Sequence, residues 1–287
     1  MIRHSLETSD GFALCVEESG PEGGDAILFA HEFGGDMSTW DGTFESLSER
    51  YRCIRFAARG FHPSDVPSEL SAYGQARSTR DLLDVVTAMG LRQFHLVGCS
   101  MGSFSALMAA VEAPDAVLSL TLIGCSTGPK GEDGTRAYRE ALSRELALLD
   151  EKAGKGAVEW FGMDSAYARM KQKQPAIWRA YLDRLGAQCV EGARNVLSTV
   201  HWNRVSLIGL RDGIEKITAP VLVLYGEEDH PLVLQTAPFL QEVLPNCRVL
   251  PVPCTGHLVH LEEPDLFLSA FLQLTQETEN AKGKEVT

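Results

Sequence analysis

Apolar positions along this chain fall into two rhythms. Short, almost unbroken apolar runs recur as AILFA (26–30), CIRFAARG (53–60), FHLVG (94–98), VLSLTLIG (117–124), PVLVLYG (220–226) and CRVLPV (247–252). Runs this short and this apolar suit strands buried on both faces, as in a parallel sheet. Residues 3–18 read as two short strands about the turn SDG, and SGPEGGD (19–25) reads as a second turn. Between the runs the period changes. Residues 40–49 look helical, and residues 74–89 carry Leu82, Val86 and Met89 on one face of an amphipathic helix. MGSFSALMAAVEA (101–113) reads as helix, as do segments after each late strand, the last near 264–274. The polar end TQETENAKGKEVT (275–287) is expected to fray. Strands alternating with helices predict an α/β domain whose mostly parallel sheet is flanked by helices.

The alternation stops between about 127 and 218. That segment is helix-like and rich in large apolar side chains: Trp160, Phe161, Met163, Tyr167, Met170, Trp178, Tyr181 and Trp202. It reads as an insertion packed over the sheet. Most of these residues are expected to form a small core of the insertion's own, with a few facing what lies beneath. The predicted division is therefore 1–126 and 219–287 for the two parts of the core, with 127–218 inserted between them.

Candidate chemistry sits where three of the apolar runs end. Gly98-Cys99-Ser100-Met101-Gly102 fits G-x-S-x-G between a strand and a helix. There a sharp turn strains the central residue and projects its side chain at the carboxyl edge of the sheet. The geometry selects Ser100 as nucleophile over Cys99, which still belongs to the strand and faces into packing. A serine hydroxyl needs a base, and the base needs an orienting acid. Glu227-Glu228-Asp229-His230 follows PVLVLYG, so Asp229 or Glu228 supplies the acid; a solvated acidic turn is the bland alternative. Thr255-Gly256-His257 follows the last strand run, which makes His257 the base ahead of His260, placed in the next helical turn. His257, His260 and Glu262 match no common zinc spacing, so no metal and no cofactor is expected. After AILFA comes His31-Glu32-Phe33-Gly34-Gly35-Asp36. An acyl-transfer oxyanion needs two preorganised donors, and the Phe33 and Met101 N–H groups are the candidates.

Composition narrows the class. The chain has 287 residues, is 44% apolar and 23% charged, and carries a formal net charge of −13 without a basic cluster. Nucleic acid and anionic membranes are therefore poor partners, because phosphate binding needs Lys and Arg. No apolar run approaches a membrane span, and the start has no apolar signal core. Seven scattered cysteines without a Cys-x-x-Cys pair suit a reduced, cytoplasmic protein. The oligomeric state is open.

HEFGGD with Trp40, ARGFHPSD, GCSMG, YGEEDH and GHLVHLEEP together resemble the α/β-hydrolase superfamily, in the capped subgroup of enol-lactone hydrolases, small-molecule esterases and carbon–carbon bond hydrolases. The resemblance covers about residues 10–275. It implies the α/β-hydrolase fold, with 127–218 as a helical cap. It also implies Ser100 as nucleophile, Asp229 as acid, His257 as base, and Phe33 and Met101 as backbone donors. Arg59 is more structural than catalytic in this reading. Glu32 departs from the family, which usually has glycine there. Either its side chain lies in a hydrogen-bonded pocket, or it touches substrate beside Trp160, Trp202 and Leu258. The expected activity is a serine hydrolase of small, mainly hydrophobic esters or lactones, acting without cofactor. Carbon–carbon hydrolysis of a vinylogous diketone on the same triad is the alternative, and a slow-turnover binding protein the other.

Overall fold

The computed structural model describes residues 1–285. Eight strands form one sheet: β1 (Ile2–Glu7), β2 (Ala13–Ser19), β3 (Ala26–Ala30), β4 (Arg52–Phe56), β5 (Phe94–Cys99), β6 (Val117–Ile123), β7 (Val221–Gly226) and β8 (Cys247–Val252). Their order is β1-β2-β4-β3-β5-β6-β7-β8. The pairings β1/β2 and β2/β4 are antiparallel and the rest are parallel. All residues of β3, β5 and β6 are buried, as their unbroken apolar character predicts.

Side chains alternate between two cores. Leu28 and Leu96 join one with Leu82 and Val85 of α2 (Gln75–Ala88) and Phe104 and Leu107 of α3 (Met101–Glu112). Ile27, Phe29, Val97 and Cys99 join the other. That second core also holds Phe44 of α1 (Asp41–Leu47) and Phe267 and Phe271 of α13 (Pro264–Glu285). The chain leaves β3 towards β4 on one side and returns to β5 on the other. The loops after β3 and β5 therefore open a crevice at the carboxyl edge, where ligands bind in open α/β sheets.

Between β6 and β7 lies a helical segment. It comprises α4 (Gly131–Lys152), α5 (Gly154–Met163), α6 (Ala168–Lys173), α7 (Pro175–Ala187) and α8 (Val190–Val196). A π-helical turn at Leu197–His201 and the short α9 (Arg211–Ile214) lead back to the sheet. After β7 come α10 (Pro231–Leu234) and α11 (Thr236–Val243), and after β8 comes α12 (Val259–Glu262). Among the described residues, no helix is long and apolar enough to cross a membrane.

Two expectations are corrected. Phe161, Tyr167, Met170, Trp178 and Tyr181 do not form a core of the insertion's own; they join Val97, Cys99, Leu222 and Leu258 in the core over one face of the sheet. These side chains are long enough to reach past the insertion's helices, and burial against strand side chains removes more apolar area from water. The second concerns the polar end. Helix α13 continues from 275 to Glu285 instead of fraying, because Thr275 and Thr278 are buried. The Tyr51 hydroxyl shares a hydrogen bond with Thr275, and Arg50 meets Glu279. The expectation for 286–287 lies outside the described residues.

Candidate active site

Ser100 ends β5 and starts α3 with φ 52° and ψ −108°, a strained combination for a residue with a Cβ. The glycines around it make the turn possible. A Cβ on Gly98 would lie 2.5 Å from the Gly102 carbonyl oxygen, and one on Gly102 would lie 2.2 Å from that of Ala30. The Ser100 N–H donates to Ile123 O at 2.8 Å, fixing the turn to β6. The buried Ser103 hydroxyl, 2.7 Å from Gly98 O and 2.8 Å from Ile123 O, braces the turn from below. Ser100 thus stands where the first N–H groups of α3 have no intrahelical partner. Cys99 points the other way. It is fully buried, and burial first, then nearby carboxylates, push its thiol well above the usual range, so it carries no thiolate.

The loop after β3 is aimed by His31. Its Nδ1 lies 2.8 Å from Glu32 O, and its Nε2 accepts the Ala58 N–H at 2.9 Å, so Nδ1 carries the proton. Burial lowers its pKa, which keeps the ring neutral. The Gly35 N–H approaches the same Glu32 oxygen. In a trans peptide the carbonyl and the following N–H point oppositely. Holding the Glu32 carbonyl therefore turns the Phe33 N–H to the other side, and no backbone acceptor takes it among the described residues.

Asp229 and His257 meet above the ends of β7 and β8. His257 Nδ1 lies 2.8 and 3.0 Å from the two Asp229 oxygens, and Asp229 Oδ1 also accepts the His230 N–H at 2.6 Å. Both side chains are buried. Asp229 occupies Nδ1, so Nε2 is the imidazole atom left for chemistry. The ring lies over the end of β6: a Cβ on Gly124 would be 2.9 Å from His257 Cε1 and 3.0 Å from Nδ1. Strand β6 lies between β7, whose loop carries Asp229, and β5, which ends at Ser100. The loop is held by the His257 N–H to Ala166 O at 2.9 Å, and by Gly256 N donating to Glu262 Oε1 at 3.0 Å. Burial opposes a charge on His257. The Asp229 charge and hydrogen bond, with Asp164 further away, more than offset it and raise the His257 pKa above the ordinary histidine value.

A cavity of about 350 Å3 joins these groups; Phe33, Ser100 and His257 all contribute to its wall. Its other side is the insertion. Tyr138, Ala141, Leu142 and Glu145 line it from one face of α4, with Trp160, Phe161 and Tyr167 beyond. The space is at the small end for a ligand site.

A family model described as alpha/beta hydrolase fold matches residues 25–264. The chain belongs to the α/β-hydrolase fold family. This α/β hydrolase is 25% identical over 270 residues to the 3-oxoadipate enol-lactonase 1 of Acinetobacter baylyi, covering 93% of this chain and 96% of that protein. It is 28% identical over 265 residues to a putative 2-succinyl-6-hydroxy-2,4-cyclohexadiene-1-carboxylate synthase of Bacillus subtilis, covering 92% and 94%. In fold it is similar to the enol-lactonase from Burkholderia xenovorans, with a TM-score of 0.82 at 16% identity over 95% of this chain and 100% of that one.

The candidate residues of this α/β hydrolase divide between cavity and core. Ser100, His257, Phe33 and Trp160 line the cavity, with Asp229 directly behind His257. Trp202 does not. It lies under the Arg139 guanidinium, along an outer groove beside α4. Leu258 is fully buried in the core beneath the sheet edge. The Glu32 side chain is fully buried as well, against Gly35 and near the Thr39 hydroxyl, and not in the cavity wall. Two positions past β3, it turns into the core beside Cys99 and His260. Glu228 turns outward to Arg169, and Arg59 is buried in a grip with Asp81 and Asp10.

Several cavity residues escaped sequence reasoning: Ser126, Tyr138, Glu145, Asp164, His201, Arg204 and His230. The one signal for them was the Tyr138-Ala141-Leu142-Glu145 spacing, which puts an acid in the inward stripe of a helix. Burial, then the Asp164 charge, pushes the Glu145 pKa up to about 8, so its carboxyl is neutral near pH 7. Asp164 is balanced differently: burial opposes its charge, but His230, at 3.3 Å, keeps it below the usual carboxylate range.

The spacing His257, His260 and Glu262 does not converge as a cluster. The nearest to a metal-ligating group among the described residues is Glu32, Cys99 and His260, whose ligand atoms lie within 4.8 Å of one another in the core. Burial pushes Glu32 up to about 8 and His260 down to about 3. Burial pushes the Cys99 thiol up as well.

Proposed function

We propose that this protein hydrolyses small, mainly apolar carboxylic esters or lactones through an acyl-enzyme on Ser100. The observation that carries this reading is His257. Asp229 holds its Nδ1, and its ring lies across Gly124 in the same cavity wall as the strained Ser100. In this reading His257 Nε2 takes the Ser100 proton as Oγ attacks the acyl carbon, and the imidazolium is stabilised by the Asp229 carboxylate. The oxyanion accepts from the Phe33 and Met101 N–H groups, each donor lowering the barrier by about 3–4 kcal/mol. The imidazolium then protonates the leaving oxygen. A water, deprotonated by the same Nε2, releases the acid and restores the serine. The insertion acts as the cap that shields this chemistry from bulk water, and its apolar lining favours aliphatic or aromatic acyl groups.

The test is covalent labelling with a fluorophosphonate, mapped by peptide mass spectrometry, beside a panel of short aryl esters and lactones. The expected result is one adduct on Ser100, absent in Ser100→Ala and retained in Cys99→Ala, with ester or lactone turnover. An unlabelled protein that turns over neither class overturns the reading, as does cleavage confined to dienoate diketones.

A further inference from the structure

The charges lining the cavity do not balance. Asp164 has His230, Asp229 has His257, and Glu145 holds its proton. Arg204 has no such partner. No carboxylate lies within ion-pair distance of its guanidinium among the described residues; one Nη2 N–H reaches the Ser126 carbonyl at 3.2 Å, and its buried Nε has no acceptor. A guanidinium is always charged and offers five donors; this one also hydrogen-bonds the Tyr138 hydroxyl oxygen, but its charge has no carboxylate and its Nε N–H is unspent.

A neighbouring imidazole is also a donor. His201, brought in by the π-helical turn that ends α8, places Nδ1 3.4 Å from the Tyr138 hydroxyl, and its buried Nε2 lacks a partner. Burial first, then the Arg204 charge, drives the His201 pKa down to about 3, so the ring is neutral. With Nδ1 accepting from Tyr138, Nε2 carries a proton and donates. Arg204 is close enough to the reacting groups that its charge is felt at His257. Tyr138 and Glu145 stand seven residues apart on one face of α4, so this donor-rich end lies about 10 Å along the helix from the Glu145 end.

We infer that Arg204 and the His201 Nε2–H, with Tyr138 orienting the imidazole, form an anion subsite that takes a carboxylate borne by the ester or lactone substrate. The inference rests on the hydrolase reading above and narrows its substrate class to small esters or lactones with a second, ionised carboxyl group. A single guanidinium with one neutral imidazole donor in a cavity of about 350 Å3 suits a monoanionic carboxylate better than a phosphate dianion.

The experiment compares the para-nitrophenyl monoester of glutaric acid with para-nitrophenyl valerate, in the native protein, Arg204→Gln and Arg139→Gln. A charge-assisted hydrogen bond contributes about 1.5–3 kcal/mol, or roughly 10- to 150-fold. The native protein should therefore prefer the anionic ester at least about tenfold in kcat/KM. Arg204→Gln should erase most of that ratio through KM. Arg139→Gln, on the outer groove, should keep it. In parallel, Ser100→Ala is titrated calorimetrically with glutarate and with glutaramide; glutarate alone should bind, and the added Arg204→Gln change should abolish it. Valerate turnover without an anionic preference, or a preference that survives Arg204→Gln, overturns the subsite and leaves the hydrolase reading standing. Arg204-dependent glutarate binding with no ester turnover supports the subsite and removes the hydrolase reading. No glutarate binding overturns the subsite whatever the turnover.

Discussion

Gly124 lies outside every motif, yet the His257 ring depends on its lack of a side chain. In Gly124→Ala the new Cβ would meet Cε1 at 2.9 Å, Nδ1 at 3.0 Å and the His257 carbonyl oxygen at 3.1 Å. Ordinary carbon contacts are about 3.5–4.0 Å, so the ring must recede by roughly 0.5–1 Å. Its hydrogen bonds to Asp229, at 2.8 and 3.0 Å, leave little room to do so without tilting Nε2 away from Ser100. A displacement of about 1 Å at a catalytic group costs on the order of 100-fold in rate. Residue 124 also has φ +58°, where a Cβ costs about 1–2 kcal/mol.

The two effects separate with a control. Gly90 has φ +64° and open space around its missing Cβ, so Gly90→Ala carries the backbone strain alone. Both variants should lower Tm by a few degrees. Only Gly124→Ala should also lose about 100-fold in kcat/KM on an aryl ester and label slowly with a fluorophosphonate. A Gly124→Ala protein within twofold of native kcat/KM would refute the placement of His257 as the base over β6.

Three further outcomes follow from the same geometry. Asp229→Asn should lower kcat by about 10⁴-fold while the protein stays folded, because the amide favours the wrong imidazole tautomer; a loss under tenfold in steady-state kinetics would remove Asp229 from its role. In its proposed role as base His257 works only when neutral, and its pKa is raised, so the acid limb of kcat/KM should fall above the ordinary histidine value of 6.5 and move down in Asp229→Asn. The same raised pKa stabilises the fold below pH 6.5, a contribution lost as pH rises through the folded-state value. Glu32 is held near 8 against an ordinary 4.5, so the native protein loses stability across that window as the unfolded chain ionises first. At about 1.4 kcal/mol per unit the loss is capped at about 5 kcal/mol, and Glu32→Gln, which cannot ionise, should flatten Tm between pH 5 and pH 8; parallel Tm profiles would refute the buried-acid account.

What the sequence disclosed and what it withheld differ in physical origin. Strand runs, the Ser100 turn, and the acid and histidine after late strands are legible because each is local: a run of apolar residues or a glycine pair limits the backbone within a few positions. Asp229 against Glu228 was not decided that way. Both lie in one turn, and only the fold shows Asp229 buried behind His257 while Glu228 pairs outward with Arg169. Glu32 misled for a related reason. Its backbone belongs to the loop beside the cavity, but its side chain enters the core beside Cys99 and His260, a turn of the loop that no strand period dictates. The cavity's insertion wall was the least legible. Trp202 and Trp160 look alike in sequence, yet one lies under Arg139 outside and the other faces Ser100's cavity. On a helix that difference is a matter of 100° per residue, and the π-helical turn at Leu197–His201 shifts the phase further just before Trp202. The same turn swings His201 inward, with Arg204 close behind it in the chain. The proposed anion subsite thus depends on a local break in helical period, which amino-acid pattern alone encodes weakly, whereas the proposed reacting groups depend on strand ends, which it encodes well.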